Sequence, residues 1–174
     1  RLNPSRPPSA ADWLARVSAA NLASTLTENS DEPHAEVLAR ELTARGSKTP
    51  FTRTPQLAEA IRAILRRHKP RHDPETDDDC VRRVFQAIRI AVNDEFGALD
   101  LFLRQLPGCL KPGGRVAILA FHSGEDRRVK HAFREGVRSG VYSAANDEIV
   151  RAGPEERRAN PRSSPAKLRW AVRA

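Results

Sequence analysis

The 174-residue sequence contains no methionine, only two cysteines and few aromatic residues. Cys80 and Cys109 are too few for a disulfide scaffold or a structural zinc site, so we expect a reducing, cytoplasmic compartment and predict no metal. No apolar run approaches the roughly 20 residues that a membrane helix needs, so no membrane partner is expected. Because the sequence begins at Arg1 and lacks methionine, we expect an internal or C-terminal piece of a longer protein.

Positive charge is in clear excess. The sequence has 30 Lys and Arg against 22 Asp and Glu, a net charge of +8. A surplus of this size favours a phosphate-bearing partner, most simply nucleic acid. The alternative is an arginine-rich surface that is only solvated.

The N-terminal 70 residues predict a small all-α domain. Residues 1–8 hold three prolines and predict an extended segment. Ser9 and Asp12 resemble a capping box, followed by one amphipathic helix that ends near residues 29–33. A second helix is predicted over residues 35–45 with Gly46 as the C′ residue, and a third from Thr54 to His68. A helix-turn-helix DNA-binding protein is the weaker interpretation of these helices, because it leaves over half the chain unexplained.

Residues 71–174 predict a mixed α/β part. The linker 69–79 ends in three aspartates, 77–79, which suit either a cation or, preferably, the start of a helix. Apolar residues at 3/4 spacing then predict one long helix from Val81 to Leu106. Arg89 and Asn93 interrupt its apolar side, and either orient a substrate loop or form an interior hydrogen bond.

The stretch 110–127 predicts a turn, a strand and a new helix. Its sequence is Leu-Lys-Pro-Gly-Gly-Arg-Val-Ala-Ile-Leu-Ala-Phe-His-Ser-Gly-Glu-Asp-Arg. Pro112 and the two glycines after it are typical of a turn, and residues 116–121 predict a strand buried on both faces. Ser123 is expected to cap the helix that follows. Residues 136–158 predict a loop with one short helical turn. The tail predicts a strand with Leu168, Trp170 and Val172 on its buried side.

Five stretches in this order resemble the RsmH (MraW) family, enzymes that use S-adenosylmethionine to methylate the N4 amine of a cytidine in small-subunit ribosomal RNA. They are Arg1-Leu-Asn-Pro with Ser9-Ala-Ala-Asp-Trp-Leu; Thr52-Arg-Thr-Pro-Gln-Leu-Ala-Glu; Arg83-Val-Phe-Gln-Ala-Ile-Arg-Ile-Ala-Val-Asn-Asp-Glu; residues 110–127; and Asn160-Pro-Arg with Ala166-Lys-Leu-Arg. The resemblance covers nearly the whole chain. It implies an α/β fold: residues 71–174 as the C-terminal half of a Rossmann-like class I methyltransferase domain, and residues 1–70 as an all-α, RNA-recognition insert.

The resemblance also implies that the main S-adenosylmethionine site lies upstream of Arg1, so no residue of this chain is predicted to bind the cofactor. The partners implied are ribosomal RNA of the small subunit and a missing N-terminal half, or another chain, that covers the sheet. Without such a cover, the central strand and the long helix are expected to expose apolar surface. The competing hypothesis is a non-catalytic basic RNA-binding module that lacks the cofactor half.

The predicted site residues fall into two groups. The end of the central strand supplies a candidate substrate pocket for a flipped cytosine; the alternative is that two of its residues only cap a helix and bond the backbone. The pocket residues are Phe121, His122 and Ser123. Cations on the helical domain and near the last strand are candidate RNA phosphate contacts, with solvated charge as the alternative. They are Arg53, Arg62, Arg66, Arg67, Arg162, Lys167 and Arg169.

Overall fold

A computed structural model describes residues 8–68 and 76–174, which belong to two compact units, Arg1–Glu95 and Phe96–Ala174. Residues 1–7 of the predicted extended segment, with the motif Arg1-Leu-Asn-Pro, and residues 69–75 of the predicted linker lie outside the described residues. No helix within the described ranges is both long and apolar enough to cross a membrane.

The first unit begins with two short helices where one was predicted. Helix α1 spans Ala10–Arg16 and α2 spans Ala19–Ser30. The predicted capping box at Ser9 and Asp12 is confirmed, with both reciprocal hydrogen bonds present. The single-helix prediction is wrong because Val17 is extended and the Ser18 hydroxyl accepts a hydrogen bond from the amide of Asn21, which starts a second helix.

Helices α3 (Ala35–Gly46) and α4 (Thr54–His68) lie where the sequence predicts them. The role predicted for Gly46 is wrong, since it ends the helix itself and is not among the described glycines with positive φ. A Cβ at this position would lie 3.4 Å from the ring of Phe51, so the absent side chain serves packing rather than a left-handed cap.

The predicted long helix is two helices. Helix α5 spans Asp77–Asn93, and α6 spans Glu95–Gln105. Asp94 separates them in the left-handed conformation (φ 52°, ψ 45°), which aspartate tolerates better than most residues. The acidic cluster does start a helix: Thr76 and Asp79 form a capping box, and the hydrogen bond from the Thr76 hydroxyl holds the pKa of Asp79 below its ordinary value.

The core of the helical unit is formed by the apolar faces of α2 to α5. Its most buried members are Leu22, Leu26, Leu38, Leu42, Ile61, Ile64, Leu65 and Val84. A buried carboxylate, Glu32, pairs with Arg83 of α5 at 2.8 Å. The compact unit extends to Glu95 because the apolar face of α5 belongs to this core. The division after residue 70 concerns an inserted domain of the family and stays a prediction.

The second unit combines helices with a three-stranded sheet. Strand β1 (Arg115–Ala120), helix α7 (Ser123–Arg138), strand β2 (Tyr142–Ala145), helix α8 (Pro154–Ala159) and strand β3 (Lys167–Arg173) follow α6. The strand order is β1-β3-β2, with β3 antiparallel to both neighbours, so β1 and β2 run parallel. The loop predicted for residues 136–158 misses β2, although its single helical turn corresponds to α8.

Helix α7 covers only one face of this sheet. Val116 and Ile118 of β1 and Ala171 of β3 pack toward Val129 and Phe133 of α7. The opposite face is exposed, with Leu119 at 52 % and Trp170 at 38 % exposure. The prediction that β1 is buried on both faces is therefore wrong for this chain, whereas the prediction of exposed apolar surface is confirmed for β1 and, at Leu101 and Phe102, for α6.

Candidate nucleic-acid interface

The glycine turn before β1 fixes that strand against β3. Gly113 has φ +75°, and its amide donates to the carbonyl of Arg173 at 2.9 Å. The amide of Gly114 donates to the carbonyl of Lys111, whose oxygen would lie 2.7 Å from a Cβ at residue 114. Both glycine amides are thus already bonded, one to β3 and one within the turn, and the turn lies at the opposite end of β1 from the predicted substrate pocket.

At the carboxyl end of β1, the predicted pocket residues take three different positions. Phe121 is 53 % exposed. His122, not Ser123, is the N-cap of α7: its backbone is extended and its Nδ1 accepts a hydrogen bond of 3.4 Å from the amide of Glu125. Ser123 is the first helical residue, so the prediction that it caps the helix is wrong.

Glu125 connects the end of β1 to the start of α7. Its Oε2 accepts a hydrogen bond from the amide of Phe121 at 3.1 Å, and its Oε1 lies 3.1 Å from Nε2 of His122. Because Nδ1 of His122 accepts the amide hydrogen of Glu125, Nε2 is the ring nitrogen left to carry a proton, and it lies beside the carboxylate. Glu125 therefore fixes both the strand end and the imidazole, a role that its place in the first helical turn did not indicate.

A stack of side chains packs against the junction of β1 and α7. The ring of Phe96 lies 5.7 Å from the ring of His122, centroid to centroid, and the guanidinium of Arg128 lies 4.1 Å from the Phe96 centroid. Arg128 in turn donates to Asp100 at 2.8 Å. Phe96 fits only because residue 124 is glycine, where a Cβ would lie 2.6 Å from the ring.

A groove of about 520 Å³ crosses the exposed sheet face at this end. We call it the sheet groove; its lining includes Leu119, Phe121, Val150, Leu168 and Arg162. The structure thus brings two predicted site residues, Phe121 and Arg162, to one surface. An aromatic and aliphatic floor beside a guanidinium suits an unpaired base and its phosphate.

Arg169 is not on that surface. It is 3 % exposed, and its guanidinium pairs with the Asp126 carboxylate of α7 through two hydrogen bonds of 2.6 and 3.2 Å. The prediction that Arg169 contacts phosphate is contradicted by this burial. The prediction of the buried side of β3 is also wrong, since Arg169 and Ala171 face α7 while Leu168 and Trp170 face outward.

The predicted cations of the helical unit differ in their partners. Three of them pair with carboxylates: Arg62 with Asp78 and Arg66 with Glu59, both at 2.8 Å, and Arg67 with Glu41 at 3.2 Å. Arg53 is exposed, and no carboxylate of the described residues pairs with it. It lines a second groove of about 560 Å³, here called the helical groove, together with Arg89 and Asn93.

A basic face on α7 escaped the sequence prediction. Its members recur at spacings of three and four within an arc of about 100° on the helix. They are Arg127, Lys130, His131, Arg134 and Arg138. Two of them also hold carboxylates: Arg134 lies 3.3 Å from Asp147, and the hydrogen bond from Arg138 lowers the pKa of Glu135. The 3/4 spacing of these cations is the signal in the sequence that marks this face.

Comparison with known proteins gives a consistent result. The sequence model of the MraW methylase family matches residues 1–174. The chain is 41 % identical over 177 residues to the ribosomal RNA small subunit methyltransferase H 1 of Lachnoclostridium phytofermentans, covering 100 % of this chain and 48 % of the relative. It is 44 % identical over 177 residues to the ribosomal RNA small subunit methyltransferase H 2 of Alkaliphilus metalliredigens, covering 100 % of this chain and 50 % of that protein.

A more distant bacterial relative agrees. The ribosomal RNA small subunit methyltransferase H of Acidithiobacillus ferrooxidans is 39 % identical over 187 residues, covering 100 % of this chain and 56 % of that protein. The chain spans about half the length of the curated relatives it matches. Since the family model covers every residue, this chain belongs to the MraW methylase family.

Proposed function

We propose that this chain is the C-terminal portion of an S-adenosylmethionine-dependent enzyme that methylates the N4 amine of a cytidine in small-subunit ribosomal RNA. The observation that carries the proposal is the family match over all 174 residues, together with relatives named as ribosomal RNA small subunit methyltransferases. Within that enzyme, the chain supplies the surface that receives RNA. The enzyme works in the cytoplasm, where its ribosomal substrate is assembled.

The glycine turn in the described part of this chain does not fit the methyl donor. The Gly113-Gly114 turn precedes a strand rather than following one, and its amides already bond to Arg173 and Lys111. A dinucleotide-type site requires glycines between a strand and the helix that follows it. We therefore place the cofactor site in the half of the enzyme upstream of this chain, and derive no step of the reaction through the cofactor.

The free edge of β1 supports the proposal that an upstream half carries the cofactor site. Strand β1 pairs with β3 on one side, and the described residues provide no strand on its other side. An unpaired edge with an exposed apolar face is a template for further strands. The upstream half would complete a larger, Rossmann-like sheet at this edge, with residues 1–70 as an inserted RNA-recognition domain.

The sheet groove supports RNA as the substrate. A cytosine that is extruded for modification needs a stacking surface and fixed polar groups to align its amine. Phe121 offers an exposed ring, Arg162 a cation, and Glu125 holds the strand end and His122 in place. We place the target cytosine here, against Phe121; His122 and Ser123 do not line the groove and would shape the pocket by holding the strand end and the start of α7.

The basic face of α7 would hold the backbone leading to this pocket. It runs from Arg127 to Arg138, a rise of about 16 Å along the helix axis, enough for several consecutive phosphates. Each phosphate contact that is removed should reduce the dependence of binding on salt by about one unit of the log–log slope. Lys167, at the start of β3, and the paired arginines of α4 remain candidate phosphate contacts.

The test uses the protein that includes the upstream half, with small ribosomal subunits that lack the modification and S-adenosylmethionine labelled on its methyl group. The proposal predicts label in N4-methylated cytidine after nuclease digestion. Phe121→Ala should lower the rate of transfer, while Val137→Ala, another exposed apolar residue outside the groove, should not. Salt-dependent RNA binding without any methyl transfer would support the competing hypothesis of a non-catalytic RNA-binding module.

A further inference from the structure

The helical groove has a composition that the proposed target pocket does not explain. Leu14 of α1, Leu57 of α4 and Phe85 and Val92 of α5 provide apolar lining. The charged side chains in its lining are three arginines, and no acidic residue of the described ranges is among them. They are Arg53, Arg82 and Arg89. An apolar floor with purely cationic charge at its rim is complementary to a nucleotide, which has an apolar base and an anionic phosphate.

The loop that carries Arg53 is held in place by one side chain. Oε1 of Gln56 accepts hydrogen bonds from the amide and hydroxyl of Thr52, at 3.0 and 3.1 Å, and from the amide of Arg53 at 3.0 Å. The backbone of Arg53 is thus fixed at the start of α4, while its guanidinium is exposed and pairs with no described carboxylate. An arginine with a fixed backbone and no partner among the described carboxylates is suited to an external anion.

The α5 side of the groove is similarly arranged. Arg82, Phe85 and Arg89 lie three and four residues apart and so share one helix face. Arg82 contacts Asp79, and Arg89 pairs with Glu95 at 3.0 Å. Glu95 also accepts a hydrogen bond of 3.2 Å from the side-chain Nδ2 of Asn93. These acids orient the arginines from outside the groove. Asn93 and Gln86 add amide groups that can bond to the edge of a base.

We propose that the helical groove binds one unpaired nucleotide of the RNA substrate, with its base on the apolar floor beside Phe85 and its phosphate on Arg53. This inference rests on the proposed function, and it adds a second nucleotide site, made of residues other than those of the target pocket. The volume of about 560 Å³ lies within the range of about 300–1,000 Å³ that is typical of ligand sites. Arg53 is the lining arginine that pairs with no described carboxylate, and an apolar protein segment would leave its charge uncompensated, so we favour a nucleotide over a protein segment as the occupant.

The test uses the protein with its upstream half and a short unpaired oligoribonucleotide that contains one 2-aminopurine, with a duplex of the same sequence as the competing ligand. Binding should quench the 2-aminopurine fluorescence, and the duplex should compete poorly. Arg53→Gln should weaken binding about tenfold, the loss expected for one charged hydrogen-bonded contact. Phe85→Leu keeps the floor apolar and should reduce the quenching. The matched control is Arg40→Gln, which removes one exposed charge of the same unit outside the groove.

Equal weakening by Arg53→Gln and Arg40→Gln would overturn the proposal, because the effect would then be general electrostatics. Binding of single strand and duplex with equal affinity would also overturn it. Cross-linking of the groove to an acidic segment of the upstream half, with no nucleotide bound, would identify a protein occupant instead. The two proposals fail separately. If the parent protein quenches 2-aminopurine but transfers no methyl group, only the proposed function is contradicted. If the parent transfers methyl groups but Arg53→Gln leaves RNA affinity unchanged, only the nucleotide site in the helical groove is contradicted.

Discussion

Removal of Arg169 should destabilise the second unit far more than removal of a typical surface arginine. Arg169 and Asp126 are 3 % and 8 % exposed, and they share two hydrogen bonds between β3 and α7. Arg169→Met would leave the Asp126 carboxylate buried without its cation, which costs about 3–5 kcal/mol when one partner of a buried pair is removed. The double variant Asp126→Leu with Arg169→Met removes both charges and should recover most of that loss, since apolar replacements of buried pairs are often neutral.

The assay is urea unfolding of the protein that includes the upstream half, for the parent, both single variants and the double variant. A double-mutant cycle should give a coupling energy toward the upper end of the usual range, about 2–3 kcal/mol. The matched control is Arg138→Met, which breaks the exposed pair of Arg138 with Glu135 on the same helix and should leave the unfolding midpoint nearly unchanged.

The same variants decide the role of Arg169. If it is structural, the double variant should retain the RNA affinity of the parent. A single Arg169→Met variant with parental stability but weakened RNA binding would refute the reasoning, and would restore the phosphate contact that the sequence suggested.

Three further changes test local packing and ionisation. Gly124→Ala should destabilise the second unit by about 1–3 kcal/mol through contact with the ring of Phe96, and should become neutral or stabilising when Phe96 is Leu, as urea unfolding of the four variants will show. Burial raises the pKa of Tyr142 above its ordinary value of 10.0, so the stability that the neutral phenol contributes is full below pH 10.0 and is lost as pH rises through the folded-state pKa. Tyr142→Phe should therefore show a shallower loss of stability in alkaline titrations followed by circular dichroism, and an identical slope would contradict this assignment. Gln56→Ala should lower stability by about 1 kcal/mol and weaken RNA binding, whereas Gln56→Glu, which keeps the acceptor oxygen, should preserve the loop in thermal melts.

Local signals predicted the helix starts well. The capping boxes at Ser9 and Thr76 rely on contacts within one turn, so they can be read from three or four consecutive residues. The break at Asp94 could not be predicted in this way, because the apolar spacing continues through it. A single residue in the left-handed conformation leaves no mark on the spacing of its neighbours.

Assignments that depend on a partner surface were less secure. Alternation correctly identified β3 as a strand, but it could not show which face is buried. In the folded unit, the buried arginine is matched by Asp126, 43 residues away, while Trp170 on the other face is exposed. Apolar residues normally mark the buried face, but on β3 they face the side of the sheet that α7 leaves uncovered.

The junction of β1 and α7 shows the same contrast between what neighbouring residues predict and what only the folded structure shows. The sequence placed Phe121 and His122 at the end of β1, and the structure puts them there. The contribution of Glu125 was missed because acids in a first helical turn are common, and only the distances to Phe121 and His122 distinguish it. The predicted arginines of α4 show that charge alone does not identify contacts, since three of them already pair with carboxylates.

The exposed face and free edge of β1 lead to the last prediction. Leu119 and Phe121 are more than half exposed, and within residues 8–68 and 76–174 β1 has one hydrogen-bonded neighbour, so its outward-facing amides should exchange with solvent rapidly when this chain is alone. Adding the upstream half should protect those amides, because a paired edge strand loses its exposed donors, while the amides in the middle of α7 should change little. Hydrogen exchange followed by mass spectrometry on β1 and α7 peptides makes the comparison within one sample. Equal exchange of the β1 peptide with and without the upstream half would mean that the larger sheet does not form at this edge, and the cofactor half would then have to contact the chain elsewhere.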